Sequence, residues 1–256
     1  MSGVPHDDRG LLLGDGLFET VLARDGALVL WPEHLARMTA GCEVMGLPAP
    51  APGAALAACE RAVSLRPSDR RLAVRLTLTA GSGGRGLDRP TTPEARLFAT
   101  AAPAAPPTEP AELVTVSVRR NAGSPTSRLK TLSYLDNVLA RREAGGAEAL
   151  MLNARGEVAC AAAANLFWFR GDRLQTPALS CGVLEGVMRG QILLAAASLG
   201  VVVEEVSVGI EALAAATGLF LTNSLIGVRP VSRLDGRRVD DHSDVARLRA
   251  AVASVS

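Results

Sequence analysis

The sequence predicts an α/β protein of two domains, each built on a mixed sheet. Three observations carry this. Short apolar, β-branched runs alternate with stretches of helical periodicity along the whole chain. Residues 103–110 hold four prolines and no periodicity, which is the composition of a linker. The chain has 256 residues, 48% of them apolar, enough to fill more than one core at roughly 100–200 residues per domain. The expected division is a small N-terminal domain over 1–104, a linker over 105–112 and a larger domain over 113–256.

The elements follow in order. Residues 17–23 and 27–31 flank Arg24-Asp25-Gly26, a hairpin signal. Pro32-Glu33 opens a helix to about Met45, with Leu35, Met38, Cys42 and Met45 on one face and Gly46 closing it. Residues 54–65 read as a second helix. Residues 66–75 alternate arginine with apolar side chains and read as strand rather than as a basic patch. Residues 72–79 and 95–100 are strands around the glycine-rich loop Gly81-Ser82-Gly83-Gly84-Arg85-Gly86. Beyond the linker, 113–118, 149–153, 166–169, 201–206 and 218–222 read as strands. Residues 134–144, 187–199 and 244–252 read as helices.

Composition excludes several functions. The formal net charge is +1, and a nucleic-acid surface needs a net basic face. Cys42, Cys59, Cys160 and Cys181 show no CxxC spacing, and His6, His34 and His242 are scattered, so neither a metal site nor a disulfide framework is expected. No apolar run is long enough to span a bilayer, and residues 1–8 lack the charged and apolar regions of a signal peptide, so a cytoplasmic location is expected.

Lys130 is the only lysine in the chain and Tyr134, four residues on, the only tyrosine; every other cationic side chain apart from histidine is arginine. Arginine stays protonated, whereas lysine can lose its proton and attack a carbonyl. Lys130 is therefore either a nucleophile or a stray surface residue, and its neighbours must decide. Leu184-Glu185-Gly186-Val187-Met188-Arg189 leads into a helix whose first N–H groups suit a phosphate, or is an ordinary helix start. Thr222-Asn223-Ser224 ends a strand with hydroxyl and amide groups, as an anion site or a plain turn. Arg37 on the first long helix is a charge-assisted donor for phosphate or a solvated arginine.

Taken in order, these pieces resemble the class IV aminotransferase family, which includes branched-chain and D-amino-acid aminotransferases and aminodeoxychorismate lyase. The resemblance rests on Asp8-Arg9-Gly10 with Gly14-Asp15-Gly16-Leu17-Phe18-Glu19-Thr20, on Glu33-His34-Leu35-Ala36-Arg37, on Leu129-Lys130-Thr131-Leu132-Ser133-Tyr134, on Ala164-Asn165-Leu166-Phe167-Trp168 and on Gly186-Val187-Met188-Arg189. It implies pyridoxal 5′-phosphate as cofactor and Lys130 as its Schiff-base lysine and proton shuttle. It implies that Arg37, the amides of Val187 and Met188, and Ser224 with Leu225 hold the phosphate, with Tyr134 on the ring hydroxyl. Phe18, Arg75 and Arg85 fall on the substrate side, the two arginines suited to a dicarboxylate. A small-molecule amine substrate and a homodimer are implied as well.

One position departs from the family pattern. Five residues before Asn165, where the family places a glutamate facing the pyridine nitrogen, this chain has Cys160. Glu157 lies three residues away and in a strand would face the other side. A carboxylate there favours a protonated ring nitrogen, and a thiol does so far less. Cys160 therefore tilts the site toward elimination, slows a working transaminase, or marks a member without catalysis; a thiolate beside the ring is a fourth reading. The glycine-rich loop and Thr222-Asn223-Ser224-Leu225 resemble the lyase branch, while Tyr134 resembles the aminotransferases. The expectation is a lyase forming 4-aminobenzoate and pyruvate from aminodeoxychorismate. The alternatives are an aminotransferase for branched-chain or D-amino acids, or a non-catalytic relative.

Overall fold

The computed structural model describes residues 3–83 and 86–255; Arg85, one of the two expected substrate arginines, lies outside them. The backbone divides into two compact units, Met1–Ala105 with Leu129–Ser133, and Pro106–Arg128 with Tyr134–Ser256. A linear split at the proline-rich segment puts the only lysine in the second domain; the backbone instead returns residues 129–133 to the first.

The first unit contains α1 (Arg9–Leu13), β1 (Gly16–Arg24), β2 (Ala27–Leu28), α2 (Trp31–Met45), α3 (Pro52–Ser64), β3 (Arg71–Thr79) and β4 (Arg96–Pro103). Its four-stranded sheet has the order β2-β1-β3-β4. The β1–β2 turn is Asp25-Gly26 with φ of 48° and 86°, the left-handed pair that a two-residue hairpin loop demands. The second strand is shorter than its sequence suggests. Leu30 takes φ 52° and stops it, and Pro32 in the first turn of α2 commits the chain to helix. Residues 66–70 precede β3 rather than joining it. Met38 and Cys42 of α2 and Ala55, Ala58 and Cys59 of α3 form one apolar core with Leu17, Val21, Val74, Leu76 and Leu78 of the sheet.

The second unit contains β5 (Ala111–Arg120), α4 (Leu135–Glu143), β6 (Glu148–Asn153), β7 (Val158–Ala161), β8 (Asn165–Arg170), β9 (Arg173–Pro177), α5 (Val187–Ser198), β10 (Val203–Val206), β11 (Thr217–Asn223), β12 (Gly227–Leu234), β13 (Arg237–Arg238) and α6 (Ser243–Ala251). Its sheet runs β10-β9-β8-β11-β12-β5-β6-β7, with β13 beside β12. The β10–β9, β12–β5 and β5–β6 pairs are parallel and the others antiparallel, so the sheet is mixed as expected. Phe167, Trp168, Phe169 and Phe220 are fully buried, each contributing about 1.5–3 kcal/mol by leaving water. Ala140 of α4 and Ala144 just after it pack with Val116, Ala149 and Met151. Among the described residues no helix is long and apolar enough to cross a membrane.

Candidate active site

Lys130 is placed by strand β1. The amide of Phe18 donates to the Lys130 carbonyl at 2.9 Å, the amide of Leu132 donates to the Gly16 carbonyl at 3.0 Å, and Leu17 bridges Thr131. Gly16 permits this approach. A Cβ there would sit 2.3 Å from the Leu78 carbonyl oxygen and 2.7 Å from Leu132 Cδ1.

Two cations share the Phe18 ring. Lys130 Nζ lies 4.2 Å from its centroid and Arg75 Cζ 3.7 Å. Arg75 is exposed on β3, opposite Thr20 of β1. On β1 the side chains of Phe18 and Glu19 face opposite sides. Glu19 is fully buried, and its carboxylate accepts from Arg37 Nε at 2.8 Å, Arg37 Nη2 at 2.6 Å and His34 Nδ1 at 2.7 Å. Burial opposes its charge, but the Arg37 and His34 contacts outweigh that and hold its pKa at about 2. His34 is likewise buried. The spacing of His34 and Arg37 on α2 puts both on one face of the helix.

Burial brings the Lys130 pKa down to about 8; Arg37 and Arg75 push the same way, and Glu19 works against them. Lys130 is thus an amine that deprotonates near neutral pH in a cationic surrounding, which is what a carbonyl-reactive lysine requires. Arg37, expected to hold phosphate, has two of its nitrogens on Glu19. Glu19 and His34 lie within the motifs quoted above without an assigned role. Their signal was present all the same: a lone carboxylate in the apolar run Leu17-Phe18-Glu19-Thr20-Val21, with a histidine three residues before the arginine.

In the second unit Cys160 sits on β7 opposite Met151 and packs with Ala159, Cys181 and Val183. Burial pushes its thiol pKa up, with Arg120 pulling the other way. Arg120 itself donates Nε to the Gly182 carbonyl at 3.2 Å and also donates to the Ser127 carbonyl. Gly186 is the N-cap of α5 and has no side chain with which to cap the first amides there, those of Val187 and Met188. A Cβ on Gly186 would sit 2.1 Å from Asn165 Oδ1, so the helix start lies directly against β8. Asn165 pairs in register with Thr222, whose Oγ1 is buried with no hydrogen-bond partner among the described residues. Ser224 and Leu225 follow in a half-buried turn, where the Leu225 amide donates to Asn223 Oδ1 at 2.9 Å. Glu185 is exposed. Tyr134 is half-buried immediately before α4.

Each unit by itself carries groups of a kind that pyridoxal phosphate takes. The first unit carries a lysine amine of low basicity and a buried-carboxylate-oriented arginine. The second carries an uncapped helix start and an orphaned hydroxyl beside it, donors suited to a phosphate dianion.

Comparison with known proteins agrees. The family model for amino-transferase class IV matches residues 16–234. A Methanocaldococcus jannaschii protein classed with the branched-chain-amino-acid aminotransferases is 31% identical, over 91% of this chain and 83% of its own length. The aminodeoxychorismate lyase of Bacillus subtilis is 28% identical, over 89% of this chain and 80% of its own. The crystal structure of 4-amino-4-deoxychorismate lyase from Pseudomonas aeruginosa superposes with a TM-score of 0.88 at 29% identity, covering 99% of this chain and 96% of that one. The lysine amine, the uncapped helix and the match over most of the chain lead to one assignment: the protein belongs to the class IV aminotransferases and is a pyridoxal-phosphate enzyme, an aminotransferase or a lyase.

Proposed function

We propose that this enzyme is a lyase that converts aminodeoxychorismate to 4-aminobenzoate and pyruvate. The observation that supports the reading is Cys160, a buried thiol held in its neutral form where the family pattern has a carboxylate. Pyridoxal phosphate, when bound, supplies an aldehyde carbon that takes up an amine and a ring that stores the electron pair of a broken substrate C–H bond. A neutral thiol does little to keep the ring nitrogen protonated, and an elimination that discharges its electron pair through a leaving group depends on that proton less than transamination does. Arg37, with the amides of Val187 and Met188 and the hydroxyl of Ser224, would hold the phosphate, and Tyr134 the ring hydroxyl. Lys130 Nζ, with its pKa near 8, accepts a proton from the substrate and returns one. Arg75, exposed beside the Phe18 ring, binds a substrate carboxylate.

The test is product analysis. Purified protein loaded with pyridoxal phosphate and given aminodeoxychorismate should release 4-aminobenzoate and pyruvate in equal amounts with no keto acid added. Amino exchange that requires a keto acid, with no pyruvate released from this substrate, overturns the reading. It would favour an aminotransferase instead, the reading supported by Tyr134 and by the 31% identical relative.

A homodimer belongs to the same proposal. Leu135, Val138 and Leu139 on α4 are 66%, 60% and 42% exposed, an apolar face suited to a second copy. Light scattering should give twice the chain mass; a fully active monomer would exclude it.

A further inference from the structure

We propose that His34 and Glu19 form a buried positioning relay behind Arg37 and Lys130: His34 fixes the Glu19 carboxylate, and that carboxylate both aims the Arg37 guanidinium and offsets the positive charge around the lysine amine.

The geometry is a chain of short contacts. Glu19 is ionised, so it only accepts hydrogen bonds, and His34 must carry its proton on Nδ1 to make the 2.7 Å contact. The remaining acceptor capacity of the carboxylate goes to Arg37 Nε and Nη2 at 2.8 and 2.6 Å, a two-point contact that fixes the plane of the guanidinium. Glu19 and His34 are each about 1% exposed at the side chain, so water does not compete for these bonds. The charged groups acting on Lys130 come from three elements: Arg37 on α2, Arg75 on β3 and Glu19 on β1. Burial lowers the amine's basicity most, the two cations push the same way, and the Glu19 carboxylate opposes all three. The uncharged amine is the one that reacts, whereas a protonated amine is needed to return a proton. The relay thereby sets the balance between those two roles. Only this catalytic consequence rests on Lys130 being the cofactor lysine.

The test uses the full-length apoprotein and no substrate, so its failure is separable from failure of the lyase reading. With one lysine in the chain, labelling with [ε-13C]lysine yields a single NMR signal whose titration reports Lys130 alone. Glu19→Gln should lower the midpoint by about one unit. His34→Ala should lower it too, and His34→Asn, whose amide can donate in place of Nδ1–H, should restore it. Should Glu19→Gln not fold, Arg37→Gln decides, because removing the cation that acts more strongly on Lys130 while keeping Glu19 must raise the midpoint. A midpoint unchanged by His34→Ala while the melting temperature falls would mean a purely structural histidine and overturn the relay. So would a midpoint that does not rise in Arg37→Gln.

Discussion

Phe18 and Lys130 are joined twice. The Phe18 amide donates to the Lys130 carbonyl at 2.9 Å, and the Lys130 amine nitrogen stands 4.2 Å from the centre of the Phe18 ring. One residue of the strand thus holds both the backbone and the side chain of this lysine, and Arg75 rests against the same ring. Phe18→Leu keeps the backbone bond and removes the ring. With cation–π contacts worth about 0.5–2 kcal/mol, kcat/KM should fall about 2- to 30-fold with the fold intact. Steady-state kinetics alongside circular dichroism checks this; unchanged kinetics would mean the ring does not position either cation.

Acid should act on the first unit through Glu19. Its pKa falls from 4.5 in the unfolded chain to about 2 in the folded one. The unfolded state therefore binds the proton first, and the stability that Glu19 contributes is complete above pH 4.5 and is lost as pH falls toward 2. The contribution is about 3 kcal/mol. Urea unfolding at a series of pH values should show this loss in the native chain and a flatter profile in Glu19→Gln. Parallel profiles would remove Glu19 as its source.

Gly16→Ala should be costly. The new Cβ meets a carbonyl oxygen at 2.3 Å, and backbone cannot yield as a side-chain tip can. Overpacking of this kind costs about 1–3 kcal/mol. Because Gly16 also accepts from Leu132, the strain falls on the segment carrying Lys130. Denaturant titration measures the first effect. Borohydride trapping of the cofactor on the Lys130 peptide measures the second and should show reduced incorporation.

Cys160→Glu restores a carboxylate to β7 beside Arg120, whose positive charge already acts on this position. If the thiol tilts the enzyme toward elimination, the ratio of transamination to elimination should rise, by about tenfold for each 1.4 kcal/mol moved between the two barriers. Assaying both reactions on the same preparation gives the ratio directly. An unchanged ratio would separate Cys160 from reaction choice.

Much of this was legible before the structure. The long helices, the hairpin and the central strands announce themselves through periodicity, Asp25-Gly26 and Pro32, because burial of one face leaves a repeating mark. The five-residue helix Arg9–Leu13 and the short strand Arg173–Pro177 left too few residues for any period to show. Lys130 stood out by being alone, but its allegiance to the first unit did not. That depends on bonds to Gly16 and Phe18, more than a hundred residues away in sequence. Glu19 and His34 were visible as residues and not as partners, since a buried ion pair between a strand and a helix has no local spacing to read.

The pKa of Lys130 near 8 has a consequence for how the protein acquires its cofactor. An aldehyde in solution condenses with whichever amine is uncharged, and on most proteins a crowd of surface lysines competes for it. Here the guanidinium groups that replace them are inert to it. Beyond the chain's own α-amine, Lys130 is the one destination available. Loading stoichiometry therefore reports site integrity with the α-amine as the only background to subtract.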